Sequence, residues 1–308
     1  MPTHTRTAGE PAVEGRTRTR VLVITSVASL MVVLDALVVA TALTAIRTDL
    51  GASLAELEWT VNAYGLSFAV LLMTAAAVGD RWGRRKVFAA GVAVFAGASL
   101  VCAAAPDVGT LIAGRLLQGA GAAFVMPLAL ALLSSAFPGQ LRPRALGVFA
   151  SVSGVAVPLG PLVGGSVVAG VSWQWIFWIN VPIGAALAFL ALAKIGESRG
   201  PDGAVDVPGL VLAGAGTFGL MWALVQGGVV PAVAGVAALV SFVVRERRAA
   251  HPMLPLHLFR SRRFSAANVV IFFHWAPRSG WCSSWRSSCR RGSGTGRWPR
   301  DSRWRRGD

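Results

Sequence analysis

The chain is expected to be an all-α polytopic membrane protein, and three observations in its sequence carry that expectation. Of its 308 residues, 54% are hydrophobic and 14% charged, with a mean hydropathy of +0.60, well outside the range of ordinary soluble domains. Runs of about 20 apolar residues, the length that crosses a hydrocarbon core, recur along it. Basic residues fall on alternate connections between those runs.

The runs lie near 22–46, 58–78, 87–105, 109–136, 145–169, 174–193, 207–226 and 229–244, and a ninth starts near Phe264 and stops near His274. Abundant Ala, Val, Leu and Gly suit helices packed closely in lipid. Arg16, Arg18 and Arg20 precede the first run, and Arg81, Arg84, Arg85 and Lys86 join the second to the third. Arg142 and Arg144 follow the fourth, Lys194 and Arg199 the sixth, and Arg245, Arg247 and Arg248 the eighth. The other connections hold Arg47 with Asp49, Glu56 and Glu58, then Asp107, then almost no charge. The positive-inside rule therefore puts the N-terminus in the cytoplasm.

A net charge of +15 suits nucleic-acid binders too. Here the arginines are spread over successive membrane loops rather than gathered on one soluble face, so no nucleic-acid partner is expected. Ala40-Thr41-Ala42 resembles a signal-cleavage site, but seven further runs and an aspartate inside the first argue against a cleaved leader. Three cysteines give no disulfide framework. His251 and His257 sit beside Pro252 and Pro255 in a connector, and no nucleophile has a plausible base, so an enzyme is not expected.

Asp35 and Arg115 are the two charges well inside the eight runs. A charge at bilayer depth costs about 2.5–3.5 kcal/mol even by insertion experiments, so it normally faces a bundle interior or a water-filled path. Helical spacing puts Arg115, Gln118 and Gly119 on one face of the fourth run, and the small residues at 119–123 allow a neighbour to approach closely.

Two readings fit Val78-Gly79-Asp80-Arg81-Trp82-Gly83-Arg84-Arg85-Lys86. It anchors a loop by charge alone, or Asp80 pairs with its arginines to lock one helix packing, with Gly83 supplying the tight turn. The fifth run carries Gly147, Gly154, Pro158, Gly160, Pro161, Gly164 and Gly165. This pattern predicts a kinked helix with a smooth packing face.

Taken together, these segments resemble the major facilitator superfamily, and within it the fourteen-helix drug:proton antiporter branch. Asp80–Lys86 is similar to the loop 2–3 signature, Arg115–Ala123 to the fourth-helix signature, and Gly160-Pro161 with Gly164-Gly165 to the fifth-helix antiporter signature. Leu34-Asp35, the stretch from Trp59 to Tyr64 and that from Trp173 to Gly184 match further landmarks, and the likeness runs from residue 21 to about 273. Ala76 and Ala156 stand where glycine is usual, Gln174 where arginine is usual, and Leu37, Ala40 and Thr44 where polar residues or proline often occur.

The resemblance implies proton-driven export of a small lipophilic or antibiotic-like compound by alternating access between two six-helix bundles. It implies coupling roles for Asp35, Arg115 and Gln118, and a conformational gate at Asp80, Arg81, Gly83, Arg84 and Arg85. Helix packing falls to Gly147, Gly160, Pro161, Gly164 and Gly165. A static buried salt bridge is the competing role for Asp35 and Arg115. The implied partners are a small-molecule substrate, protons and the lipid bilayer; a proton gradient supplies the energy, with no cofactor or metal. The implied location is a bacterial inner membrane, and the oligomeric state stays open.

The resulting division is an N-terminal tail (1–20), a six-helix bundle (21–200), two linker helices (201–245), a loop with the start of a ninth span (246–273), and a tail (274–308) of different composition. That tail has five tryptophans, many arginines, and no Leu, Ile, Val or Phe. Trp and Cys codons begin TG and most Ser codons TC. A shifted frame turns all of them into Leu, Val, Met, Ile or Phe codons, so 274–308 is expected to be out of frame. On that expectation the 308-residue product is inactive alone. The alternative is a half-transporter fragment or pseudogene product that pairs with another membrane protein.

Overall fold

Local chemistry sets where the helices start and stop. Ser53 and Glu56 form a reciprocal capping box, the Ser53 N–H donating to Glu56 Oε2 at 2.8 Å and Glu56 N–H to Ser53 Oγ at 3.3 Å. This fixes the start of α2 (Leu54–Trp82), just after α1 (Glu10–Leu50) ends. Gly83, at φ +105°, is the single residue between α2 and α3 (Arg84–Ala103), and a side chain there would be strained. Asp107 caps α4 (Val108–Ala136), accepting from the Thr110 N–H at 2.9 Å. These bonds hold the Asp107 carboxyl below its ordinary pKa.

The computed structural model describes residues 10–200, 206–226, 228–248 and 261–275. After α4 come α5 (Leu141–Gly170), α6 (Trp175–Trp178), α7 (Asn180–Lys194), α8 (Val207–Gln226), α9 (Val229–Arg248) and α10 (Arg262–Trp275). Eight helical segments among the described residues are long and apolar enough to cross a membrane, with α6 and α7 together forming the sixth. The protein is therefore an all-α polytopic membrane protein. Residues 1–253 form one compact unit and 254–308 another.

In the first unit α3 lies against α4 and α7, α2 against α4 and α8, and α1 against α5, while α8 and α9 form a hairpin. Glycines make the tight crossings. A Cβ on Gly121 would lie 2.6 Å from the Phe95 backbone N, and one on Gly235 2.7 Å from the Leu220 N. Trp59 of α2 meets Trp222 of α8 with ring centroids 5.3 Å apart.

The interior consists of two apolar clusters. One holds Val32, Phe88, Phe95, Ala122, Leu128 and Leu187. The other holds Val38, Ile46, Cys102, Leu111, Trp173 and Phe177. Three helices pass from one cluster to the other across a polar residue: α1 at Asp35 between Val32 and Val38, α3 at Ser99 between Phe95 and Cys102, and α4 at Arg115 with Gln118 between Leu111 and Ala122. Asn180 falls likewise between Phe177 and Leu187. A polar layer thus separates two dry ones.

The sixth span, expected over 174–193, runs from Trp175 to Lys194; Ile179, between α6 and α7, keeps helical backbone angles, and Pro182 has no N–H to donate to the Trp178 carbonyl four residues earlier. α5 is a continuous helix with Pro158 and Pro161 inside it. The eighth span runs to Arg248 rather than 244, and Glu246 upon it is 2% exposed, a third buried charge. α10 has 14 residues, about 21 Å of helix against a hydrocarbon core of about 30 Å. The expectation of an out-of-frame tail falls almost wholly on 276–308, outside the described residues, as do His251 and His257.

Candidate functional site

The polar layer is a closed hydrogen-bond network around one carboxylate. Asp35 and Arg115 are 3% and 1% exposed, and Arg115 Nη1 donates to Asp35 Oδ2 at 2.6 Å. The other carboxylate oxygen accepts from Gln118 Nε2 at 2.9 Å and from Asn180 Nδ2 at 2.7 Å. Gln118 Oε1 in turn accepts from Arg115 Nη1 at 2.6 Å, and Gln118 Nε2 also donates to Ser99 Oγ at 2.8 Å. Arg115 Nε donates to the Thr60 carbonyl at 3.2 Å, and its Cζ lies 4.3 Å from the centre of the Tyr64 ring.

Four spans therefore meet on Asp35: α1 carries it, α4 supplies Arg115 and Gln118, α7 supplies Asn180, and α2 holds the guanidinium from behind. The three residues singled out as a coupling set are brought together. Gly119 is placed beside them, and a Cβ on it would collide with the Tyr64 carbonyl and Ser67 Oγ, so glycine is required for α2 to reach the arginine.

Asn180 had no signal of its own beyond being a lone amide among apolar residues. Cys102 is buried, with its Sγ 3.8 Å from Gln118 Oε1.

A second cluster sits at the basic end. Arg84 Nε donates to Asp80 Oδ1 at 2.7 Å across the Gly83 turn. The segment after α7 is strapped over that turn: the Arg84 N–H donates to the Ser198 carbonyl at 2.9 Å, and the Gly200 N–H to the Asp80 carbonyl at 3.1 Å. Glu197 accepts from the Arg85 N–H at 3.0 Å and lies 3.6 Å from Arg85 Nε. Arg85 Nη1 also reaches the Ile195 carbonyl at 3.2 Å. Glu197 is therefore a member that sequence reasoning missed; it reads as an ordinary solvated loop acid. Arg81 is exposed and lines a crevice between α2 and α8 with Trp82.

The fifth-helix residues divide. Gly160 and Gly164 face α1, where a Cβ on Gly160 would lie 2.9 Å from Leu37 Cβ and one on Gly164 would strike Thr41 Oγ1. Gly147 and Gly165 have no atom within 4 Å of a Cβ position. Their faces of α5 are open among the described residues. At the opposite end Asp49 Oδ2 accepts from Trp173 Nε1 at 2.8 Å and from Gln174 Nε2 at 3.2 Å, so Gln174 makes a contact to the acid with a neutral amide.

Known proteins agree with this architecture. The sequence profile of the Major Facilitator Superfamily matches residues 25–277. The chain is 38% identical over 264 residues to the tetracenomycin C resistance and export protein of Streptomyces glaucescens, covering 81% of this chain and 48% of that one. It is 38% identical over 262 residues to the methylenomycin A resistance protein of Bacillus subtilis, covering 82% and 56%. It is 41% identical over 257 residues to the cephamycin export protein of Amycolatopsis lactamdurans, covering 79% and 53%.

The chain thus spans about half the length of the curated relatives it matches. Among solved structures, the peptide-transporter-family protein PepTSo shares the fold at a TM-score of 0.57 and 11% identity, over 74% of this chain and 52% of that one. Sequence profile, relatives and fold agree: the chain belongs to the major facilitator superfamily, a family of small-molecule transporters and not of enzymes.

Proposed function

We propose that this protein is the N-terminal bundle of a drug:proton antiporter that exports small lipophilic or antibiotic-like compounds across a bacterial inner membrane. The N-terminus and the basic loops face the cytoplasm. The reading is carried by one observation: a carboxylate buried at mid-span that accepts from Arg115, Gln118 and Asn180. Export functions in the names of its relatives support the substrate class.

Asp35 is the proton-binding group. Arg115 donates to its carboxylate form. Protonation of Asp35 removes the attraction that joins α1 to α4, and Gln118 and Asn180 follow whichever form is present. The Asp80–Arg84 pair, the Gly83 turn and the Arg85–Glu197 contact hold one packing of the basic end and release it in the other. A proton gradient is the energy source.

Alternating access needs two bundles rocking about a shared site. The described residues supply one bundle and a two-helix hairpin, so we infer that residues 1–308 by themselves do not transport. Dye efflux from cells expressing this chain should match a vector control, and efflux abolished by collapsing the proton gradient would overturn that inference.

The proton-binding role is tested separately, by infrared difference spectroscopy of the chain in lipid between about pH 5 and about pH 9. A carboxyl C=O band that titrates in the wild type and is absent from Asp35→Asn supports the role. No Asp35-dependent band in that range would leave the pair as a static ion pair that sets helix register.

A further inference from the structure

At the basic end, α1 and α7 enclose a crevice of about 620 Å³ lined by Arg16, Thr19, Arg20, Val23, Ile24, Leu190 and Lys194, with Gly15 at its lip. Three cations converge there from two helices. Arg16 and Arg20 are one turn apart on α1, and Lys194 closes the last turn of α7. None of their side chains makes a hydrogen bond or ion pair among the described residues. Such positions differ from Asp80, Arg84 and Arg85 nearby, which are all engaged.

Below the cations the walls turn apolar. Val23 is 53% exposed and Leu190 38%, and the adjoining outer face of α7 carries Phe189 and Leu192, both well exposed. The crevice therefore has a cationic mouth and an apolar floor that continues into the lipid-facing surface. The positive-inside rule explains cations at this end and the helix dipole a lysine at a helix C-terminus; neither requires three of them, unpaired among the described residues, to converge on one cavity.

We propose that this crevice is a binding site for an anionic phospholipid. Its phosphate is held by Arg16, Arg20 and Lys194, and one acyl chain lies along Val23, Ile24 and Leu190. Charge complementarity selects the headgroup, and the apolar floor selects a lipid over a free anion. A lipid seated there ties the start of α1, which carries Asp35, to the end of α7, which carries Asn180. Basic pockets between spans at the cytoplasmic side are suited to such headgroups.

The test is native mass spectrometry of the full chain, released from micelles containing equal phosphatidylglycerol and phosphatidylcholine. The wild type should retain phosphatidylglycerol with a preference of about 10-fold. The Arg16→Gln/Arg20→Gln/Lys194→Gln variant should lose that preference. Leu190→Trp, which fills the floor and keeps every charge, should reduce retention about 3-fold. Arg142→Gln/Arg144→Gln, which removes loop cations elsewhere, should leave retention unchanged.

Equal retention of the two lipids by the wild type overturns the proposal, as does an equal loss in the Arg142/Arg144 variant, which would mean bulk charge alone. Displacement of the lipid by inorganic phosphate would make the site an anion site and overturn the lipid assignment. Retention by Leu190→Trp at the wild-type level would mean that the headgroup sits on the surface and the crevice is not used.

Discussion

The polar layer around Asp35 and the cluster at the Gly83 turn each pair an acid with an arginine, yet they differ in nearly every other respect. The polar layer around Asp35 and Arg115 is almost wholly shielded from solvent, and its carboxylate is fully engaged by side-chain donors from two other spans. The cluster at the Gly83 turn leaves the Arg84 and Asp80 side chains 18% and 40% exposed, and much of its holding power comes from backbone groups of residues 195–200. A desolvated pair has to be complete, because any orphaned member carries the whole cost of its burial. A wet pair can be incomplete and lose little. Loss of one member should therefore cost more in the inner cluster than in the outer one.

The sharpest way to break this contrast is Arg115→Leu. It leaves a buried carboxylate without its cation and should cost about 3–5 kcal/mol, read as loss of a monodisperse peak in size-exclusion chromatography. Asp35→Asn with Arg115→Gln should recover most of that peak, because the double change removes the charge as well as its partner. Asn180→Ala deletes one hydrogen bond to a charged group and should cost about 2 kcal/mol, seen as a fall in the thermal unfolding midpoint in detergent.

Smaller effects are expected at the outer cluster. Gly83→Ala forces a Cβ onto a positive φ and should cost about 1 kcal/mol, with the damage confined to proteolytic exposure of the α2–α3 turn. Arg84→Gln should cost under about 1 kcal/mol; a loss as large as that of Asn180→Ala would erase the distinction between the two clusters.

The smallest effect is one of pH. The Asp107 carboxyl is held low chiefly by the Thr110 N–H, so its folded pKa lies below its unfolded one. The capping contribution is full above the ordinary carboxylate value of about 3.9 and is lost as pH falls through the folded value. Asp107→Asn should flatten that acid limb of the thermal midpoint while leaving neutral pH nearly unchanged.

Much of the fold was legible because bilayer length and charge asymmetry are one-dimensional signals. Eight apolar runs became eight segments able to span, with ends displaced where polar residues extend a helix past its apolar part, as at Arg248. The meeting of Asp35, Arg115 and Gln118 was legible from the cost of burying charge.

Asn180 was not legible, since a lone amide in an apolar run acquires its role only from the carboxylate opposite it on α1. Glu197 was not legible either, because a loop acid acquires meaning only from the turn it closes over. The fifth-helix glycines were read as one group, yet only Gly160 and Gly164 meet α1, while Gly147 and Gly165 face outward. Sequence spacing gives a face, but not what stands opposite it.

The strap over the Gly83 turn has a consequence for how the chain is made. The Arg85 N–H is capped by a carboxylate 112 residues further along, so the turn between the second and third spans is inserted long before its closing partner leaves the ribosome. While roughly the next four spans are synthesised, that turn stands open to proteases and to chaperones of the insertion machinery. It is sealed only when residues 197–200 emerge. Completion of the sixth span is thereby recorded at the second, and a nascent chain arrested before Glu197 should be cut at the turn while one arrested well beyond Gly200 is spared.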